Sequence, residues 1–432
     1  MRIGWVTPFS RRSAIGRVSA SVTRMLKARG HEIRIIRSER RIDVSPIHST
    51  QLNVEWWRDV PPSEIANWSD VVIVNFGDHY GFHAGTLSYV DALPCLGIFH
   101  DFFLYYFFNG WIWEEGLGEA RHQHEVRATY GERATAIGLK AWRDWAPLEE
   151  IVEAIPMTEW LARRCGAVLT HSRFCIPRLE ASCPGPIAVA PLCFEPRPVE
   201  ALPIRNNEEV VIATIGHMNQ NKCAEWVIRA IAASPVLRRR CRYRLVGRIT
   251  FKERARLATL CHDIGFERVD ILGELPEAGL IAELERTDIL ACLRKPILEA
   301  ASASAIEGMK AGRPVIVADA GFYADLPDDL VFKIPASIEV QPLTAVLERL
   351  VSQEKLRRDV GTKARTWAMR TFTTEAYVNV LEDLIVQFIN ARPLLAVSEK
   401  FGGQLAALGA SQDNPSIERI ADVMHGLFGN SK

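Results

Sequence analysis

The 432-residue sequence has no excess of either charge: 52 Lys and Arg meet 52 Asp and Glu. Such a chain presents no bulk field for nucleic acid, which is not expected as a partner. A paired-cysteine pattern is also missing. The nine cysteines are odd in number and scattered without C-x-x-C spacing. That argues against a disulfide frame and for free thiols in a reducing cytoplasm. There is no apolar run of about 18 residues, so no membrane-spanning helix is expected. The opening MRIGWVTPF has one Arg with no long apolar stretch after it. It reads as a strand rather than a secretory leader, and the cytoplasm is the expected address. No Asp-x-Asp motif stands at a suitable strand end. His79 and His83 are four apart, but Gly77 and Gly81 beside them argue for a loop, and no third ligand is near. Neither a metal nor a cofactor is expected.

What the chain does have is core material: eleven Trp and eighteen Phe. Its length allows three average domains or two large α/β ones. Residues 2–7 read as a strand and 8–15 as a polar loop. Gly16 opens a helix whose Val18, Val22, Met25 and Leu26 keep helical spacing. Gly30 ends it, and 31–36 is the next strand. A single early glycine is a weak dinucleotide fingerprint. Further strands are predicted at 71–75, 96–99 and 167–170, and 118–161 reads as charged outer helices. Six prolines then fall between Pro184 and Pro203. Proline neither propagates a helix nor pairs in a central strand, so the domain boundary is placed there. One domain covers 1–195 and a second 205–372. Residues 373–432 add a helix over 374–390, a weakly patterned tail and one more helix over 416–427. In the second domain, strands are predicted at 210–215, 242–246, 269–272, 288–293 and 315–318, and helices at 223–233, 343–353 and 354–371.

Two stretches stand out chemically. Residues 102–113, FFLYYFFNGWIW, are too few to span a bilayer. They read as a buried helix or aromatic wall. The alternative is an interfacial surface, since aromatic rings suit headgroup depth; that surface would put the protein at the inner face of the membrane. Residues 290–318, LACLRKPILEAASASAIEGMKAGRPVIVA, hold the second. Glu299 and Glu307 flank Ala300, Ala301, Ser302 and Ala303, which have almost no side chain. A strand precedes, a helix follows, Gly312 ends the helix, and Pro314 cannot continue it. In open parallel sheets ligands bind at the carboxyl ends of strands. A helix start without bulk lets an anion reach the amides, and carboxylates accept hydrogen bonds from sugar or ribose hydroxyls. The plain alternative is a capping box, Ser304 to Glu307, with Glu299 a solvated loop acid.

Glu-x7-Glu, the small-residue helix, AGRPVIV and the following Asp-Ala-Gly resemble the donor site of retaining glycosyltransferases of the GT-B fold, family 4. That resemblance implies two Rossmann-like, doubly wound parallel-sheet domains facing a cleft. The first would be the acceptor side and the second the donor side, with the last helix crossing back onto the first. It implies that Glu299 meets the donor sugar and Glu307 the ribose, and that the amides of Ser302 and Ala303 hold the diphosphate. Gly16 would offer its amide to the same diphosphate. His100, at a strand's carboxyl end beside Asp101, resembles the family histidine that faces the donor sugar. After Gly216 the family carries Arg, then Lys-Gly; here Lys222 stands in place, His217 replaces the Arg and Cys223 the Gly. Arg248, after Gly247, is positioned to supply the missing cation. The loop at Leu275 would read the base. The expected partners are a nucleotide-sugar donor and a saccharide or lipid-linked saccharide acceptor, with peripheral membrane contact through the aromatic run. His217, Cys223 and Ala300 carry a second reading: a degenerate GT-B chain that binds a nucleotide-sugar or a partner enzyme without catalysis. A glutamate-pair hydrolase is a third, set aside because the surroundings suit phosphate.

Overall fold

The computed structural model describes residues 1–41, 46–195, 197 and 209–407. The first strands are β1 (Arg2–Thr7), β2 (Glu32–Arg37), β3 (Asn53–Trp56), β4 (Val71–Phe76), β5 (Leu96–Phe99), β6 (Ala167–Thr170) and β7 (Ile187–Val189). They form one seven-stranded sheet in the order β3-β2-β1-β4-β5-β6-β7, parallel throughout. The later strands are β8 (Val210–Ile215), β9 (Cys241–Val246), β10 (Val269–Gly273), β11 (Ile289–Ala291), β12 (Val315–Ala318) and β13 (Phe332–Ile334). They form a six-stranded parallel sheet ordered β10-β9-β8-β11-β12-β13. In each sheet the order reverses beside the first strand, between β1 and β4 and between β8 and β11. Those crevices are where a doubly wound sheet takes ligands. The predicted fold class is the one observed.

The inner strands of each sheet are covered on both faces, which is why β1, β4, β5, β6, β8 and β12 are mostly apolar runs, whereas β2 and β9 alternate with Arg34, Arg242 and Arg244. Trp5, Ile35, Ile73 and Ile98 point to one core, and Val6, Ile36, Val74 and Phe99 to the other. Ile212, Ala291 and Ile316 are likewise opposed to Ala213, Leu290 and Val317. The edge strand β7 lies inside the proline-rich stretch, flanked by Pro186 and Pro191. Proline is tolerated at a sheet edge, so the boundary region still supplies a strand.

Two segments differ from expectation, and the aromatic run takes the first of its two readings. Tyr80–His83 forms a helical turn rather than open loop; Tyr80 and His83 are buried, and that packing outweighs Gly81. The aromatic run is core wall. Phe102, Phe103, Tyr105, Phe107 and Phe108 are buried, and only Tyr106 and Trp113 are largely exposed. Trp113 in turn stacks on Trp142 at 4.7 Å. The helix expected at 374–390 runs from Thr374 to Ala407, through Pro393. Strong helix formers on both sides of Pro393 carry it past one lost hydrogen bond. Its Tyr377, Leu381, Leu384, Ile385 and Phe388 pack against the first sheet, so the crossing helix is present. The helix expected at 416–427 lies outside the described residues. Among the described residues no helix is long and apolar enough to cross a membrane.

Candidate functional site

A cavity of about 690 Å³ lies between the two sheets. From the first domain it is lined by residues of the loops after β1, β4 and β5, including Ser13, Asp78, His100 and Asp101. From the second it takes Gly216, Ala301, Ala303, Ser304 and Glu307, all following β8 or β11. The strand ends that the two order reversals leave open therefore face each other across one space.

The domains are held around it by backbone. Asp101 and Glu299 form an antiparallel bridge. The amides of Phe102 and Phe103 donate to the Leu298 carbonyl at 2.9 Å each, and Ala300 N–H donates to the His100 carbonyl at 3.2 Å. Asp325 adds a second clasp, accepting from Ser172 Oγ and the Arg173 amide, both at 2.8 Å. The loop that carries Glu299 thus rests on the first domain.

Behind the cavity wall is a charged network. Arg294, almost wholly buried, reaches Glu299 Oε1 at 3.1 Å. It also donates to Ser304 Oγ at 3.0 Å and the Leu293 carbonyl at 2.8 Å. Tyr323 donates its hydroxyl to Glu299 at 2.9 Å. Burial raises the proton affinity of Glu299, but Arg294 and Lys222 more than offset that and hold its pKa below the usual glutamate value. Lys222 sits under Gly216, whose missing Cβ would lie 3.4 Å from Lys222 Nζ. Burial lowers the Lys222 pKa to about 8, with Arg294 adding to the effect and Glu299 opposing it. Asp101 accepts from the Asp78 amide at 2.9 Å. Burial nevertheless raises it to about 7, with Glu299 contributing.

The glutamate motif folds differently from a capping box. Ser302, not Ser304, is the N-cap of helix Ala303–Lys310, accepting from the Ala305 amide. Ser304 Oγ is taken by Arg294. Glu307 stands in the second turn, facing the cavity, where Arg197 pairs with it. Ser302 Oγ also contacts Ser304 Oγ at 3.2 Å; of the two residues whose amides were expected at the diphosphate, Ala303 lines the space and Ser302 does not. Gly16 has its amide engaged by Ser13 Oγ at 3.0 Å. Ser13, Ala14 and Ile15 line the cavity instead, because the helix starts two residues earlier than the glycine suggests. Arg248 is exposed and Leu275 packs on a hydrophobic core; neither lines the cavity. His83 donates from Nδ1 to the Asn75 carbonyl at 2.9 Å. Among the described residues no three His, Cys, Asp or Glu side chains gather as metal ligands.

Three glycines end β8, β9 and β10 side by side. Gly216, Gly247 and Gly273 have φ of +123°, +138° and +75°, and a Cβ on Gly247 would lie 1.9 Å from the Gly216 carbonyl oxygen. Gly247→Ala is expected to cost about 2–3 kcal/mol in stability and to displace Gly216 and the Lys222 beneath it. Urea unfolding alongside ligand titration checks both effects; an alanine variant as stable as the parent would contradict the close approach.

Sequence reasoning missed Arg294 and Tyr323. A signal for Arg294 existed: an arginine directly after the buried run Ile289–Leu293 must be paired. Tyr323 gave none, since only the fold brings it to Glu299.

Residues 201–367 match the family model described as "Glycosyl transferases group 1". No curated protein sequence matches the chain. Among solved structures, sucrose-phosphate synthase from Thermosynechococcus elongatus aligns with TM-score 0.59 at 14% identity, over 92% of this chain and 100% of that one. Anabaena HepE in complex with UDP and glucose gives 0.58 at 14%, over 89% and 98%. WaaG, a glycosyltransferase involved in lipopolysaccharide biosynthesis, gives 0.56 at 15%, over 88% and 99%. At such identities the likeness is one of fold: two parallel-sheet α/β domains of the GT-B type.

Proposed function

We propose that the protein is a retaining, metal-independent glycosyltransferase. It moves a sugar from a nucleoside-diphosphate sugar to a hydroxyl of a saccharide or lipid-linked saccharide, in bacterial polysaccharide or glycoconjugate synthesis. The observation that carries this reading is convergence. His100, Gly216, Ala303 and Glu307, predicted from three separate stretches, line one cavity, and Lys222 and Glu299 lie directly behind it. The match to the transferase model over the donor half, and a fold relative solved with UDP-glucose, support it.

The chemical problem is a leaving diphosphate that gains negative charge as the glycosidic bond breaks. Lys222 and the unobstructed helix start at Ala303 offer charge and dipole where that anion develops. The chain itself supplies the cation, so chelators should leave turnover unchanged. Glu307 accepts from the ribose hydroxyls once Arg197 is displaced, which fixes the donor's orientation. Glu299 fixes the sugar. Departure and attack take place on one face of the sugar, and His100 positions rather than deprotonates.

Calorimetry with UDP- and GDP-sugars tests the reading. One donor is expected to bind in the micromolar range, with binding lost in Glu307→Ala. A protein that binds none of them would favour the degenerate chain, with His217 in place of the family arginine as first suspect.

The lowered pKa of Lys222 sets a pH dependence. Above about pH 8 the empty site holds a neutral amine. An anion must then restore the proton before pairing with it. Donor affinity should therefore weaken as pH rises through 8, by up to about tenfold per unit. Titration from about pH 6.5 to about 9.5 measures this. Lys222→Arg should flatten the profile, and a flat wild-type profile would remove Lys222 from the donor site.

A further inference from the structure

His100 and His171 leave the first sheet side by side. Strands β5 and β6 are parallel with Ile98 opposite Leu169, so residues two further on are neighbours. Both side chains are buried, and His100 forms part of the cavity wall. Three contacts run in a row. His100 Nε2 lies 3.0 Å from Asn75 Oδ1, His100 Nδ1 lies 3.2 Å from His171 Nε2, and His171 Nδ1 lies 3.1 Å from the Ala190 carbonyl oxygen.

Both ends of this row are acceptors. The Ala190 carbonyl has no hydrogen to give. Asn75 donates its amide nitrogen to the Val6 carbonyl at 3.1 Å, so its oxygen must face His100. Each outer imidazole nitrogen therefore carries a hydrogen. Two neutral imidazoles own just two such hydrogens, and both are spent. The inner nitrogens then face each other lone pair to lone pair. A third proton converts that contact into a hydrogen bond and gives the pair one positive charge. Burial opposes the charge and lowers both groups, His171 to about 4. Titratable groups among the described residues pack beside the pair. His83 disfavours the charge, Asp101 follows His100 in the chain, and Tyr377 of the crossing helix places its ring 5.7 Å from His171.

We propose that His100 and His171 bind protons as one unit, and that an anion docking beside His100 draws the third proton into it from solvent. The identity of that anion, a nucleoside diphosphate, rests on the transferase reading above. His171 is then a positioning residue. It fixes which nitrogen of His100 carries hydrogen, and it makes donor binding take up a proton.

Nitrogen-15 NMR of the imidazoles in the ligand-free protein tests the unit without any donor. Both rings should titrate together, in one step, below the ordinary histidine range. Two independent steps would overturn the proposal whatever the protein binds. Calorimetry with UDP-glucose and GDP-mannose, whose phosphates do not titrate near neutrality, tests the coupling. In buffers of different ionisation heat at about pH 6, proton uptake should approach one per donor bound. His171→Asn, which keeps a donor toward His100, should reduce it to near zero. Donor binding with equal heats in all buffers would overturn the coupling. A shared titration step in a protein that binds no donor would uphold the proton-sharing pair and overturn the transferase reading instead.

Discussion

Glu299→Ala should lower the unfolding free energy of the second domain by about 3–5 kcal/mol. The reason lies with its partner. Arg294 has 2% side-chain exposure against 25% for Glu299. Removing the glutamate leaves a guanidinium that cannot reach water, while the reverse deletion leaves a carboxylate that can. Arg294→Met should accordingly cost less than Glu299→Ala. The double variant Arg294→Met with Glu299→Leu should recover most of the loss, because no unpaired buried charge remains. Urea midpoints at unchanged slope measure the series. A Glu299→Ala protein within about 1 kcal/mol of the parent would mean that the pair has little energetic weight. The result also bears on function. Glu299 holds the floor of the site through Arg294 and Tyr323, so activity lost in Glu299→Ala mixes scaffold with the proposed sugar contact. Glu299→Gln, which still accepts from Tyr323, leaves the same cation without its counter-charge and helps apportion the two.

Lys222→Ala should reduce donor turnover about 100- to 1,000-fold. Lys222 is the cation nearest the Gly216 backbone. Its charge is most valuable where burial has removed competing water. Stability should move the other way or not at all, since deleting a partly desolvated ammonium relieves a cost. Slow hydrolysis of the donor, followed without acceptor, is sufficient to measure the loss. Turnover equal to the parent's would shift the role to Arg197 or to the helix start alone. Taken with Glu299→Ala, the two variants separate an activity defect with intact folding from one that accompanies a folding defect.

Much of this protein was legible in its sequence, for definable reasons. Parallel strands buried on both faces are continuous apolar runs, so β1, β4, β5, β6, β8 and β12 appear as such within a residue or so. Gly312 and Pro314 end the helix after Glu307 because one tolerates positive φ and the other lacks an amide hydrogen. Local chemistry fixed those features, while the fold class and the choice of His100, Lys222, Glu299 and Glu307 followed from the family resemblance that the motifs carry. Short edge strands were not legible. β3, β7 and β13 are three or four residues long, too short for a period to show. Helix Thr374–Ala407 was read short because proline is a strong local signal and packing along the first sheet is not a local one. The pairings lay beyond the sequence altogether. Whether Ser302 or Ser304 caps the helix, whether the Gly16 amide is free, and that Arg294 meets Glu299 while His100 meets His171 depend on the folded path of each loop, with partners from three residues apart, as Gly16 and Ser13, to 71, as His100 and His171. Only the packing of each loop on its own sheet brings them within hydrogen-bond reach, because a hydrogen bond or a buried ion pair is decided by a few tenths of an ångström and by the exclusion of water.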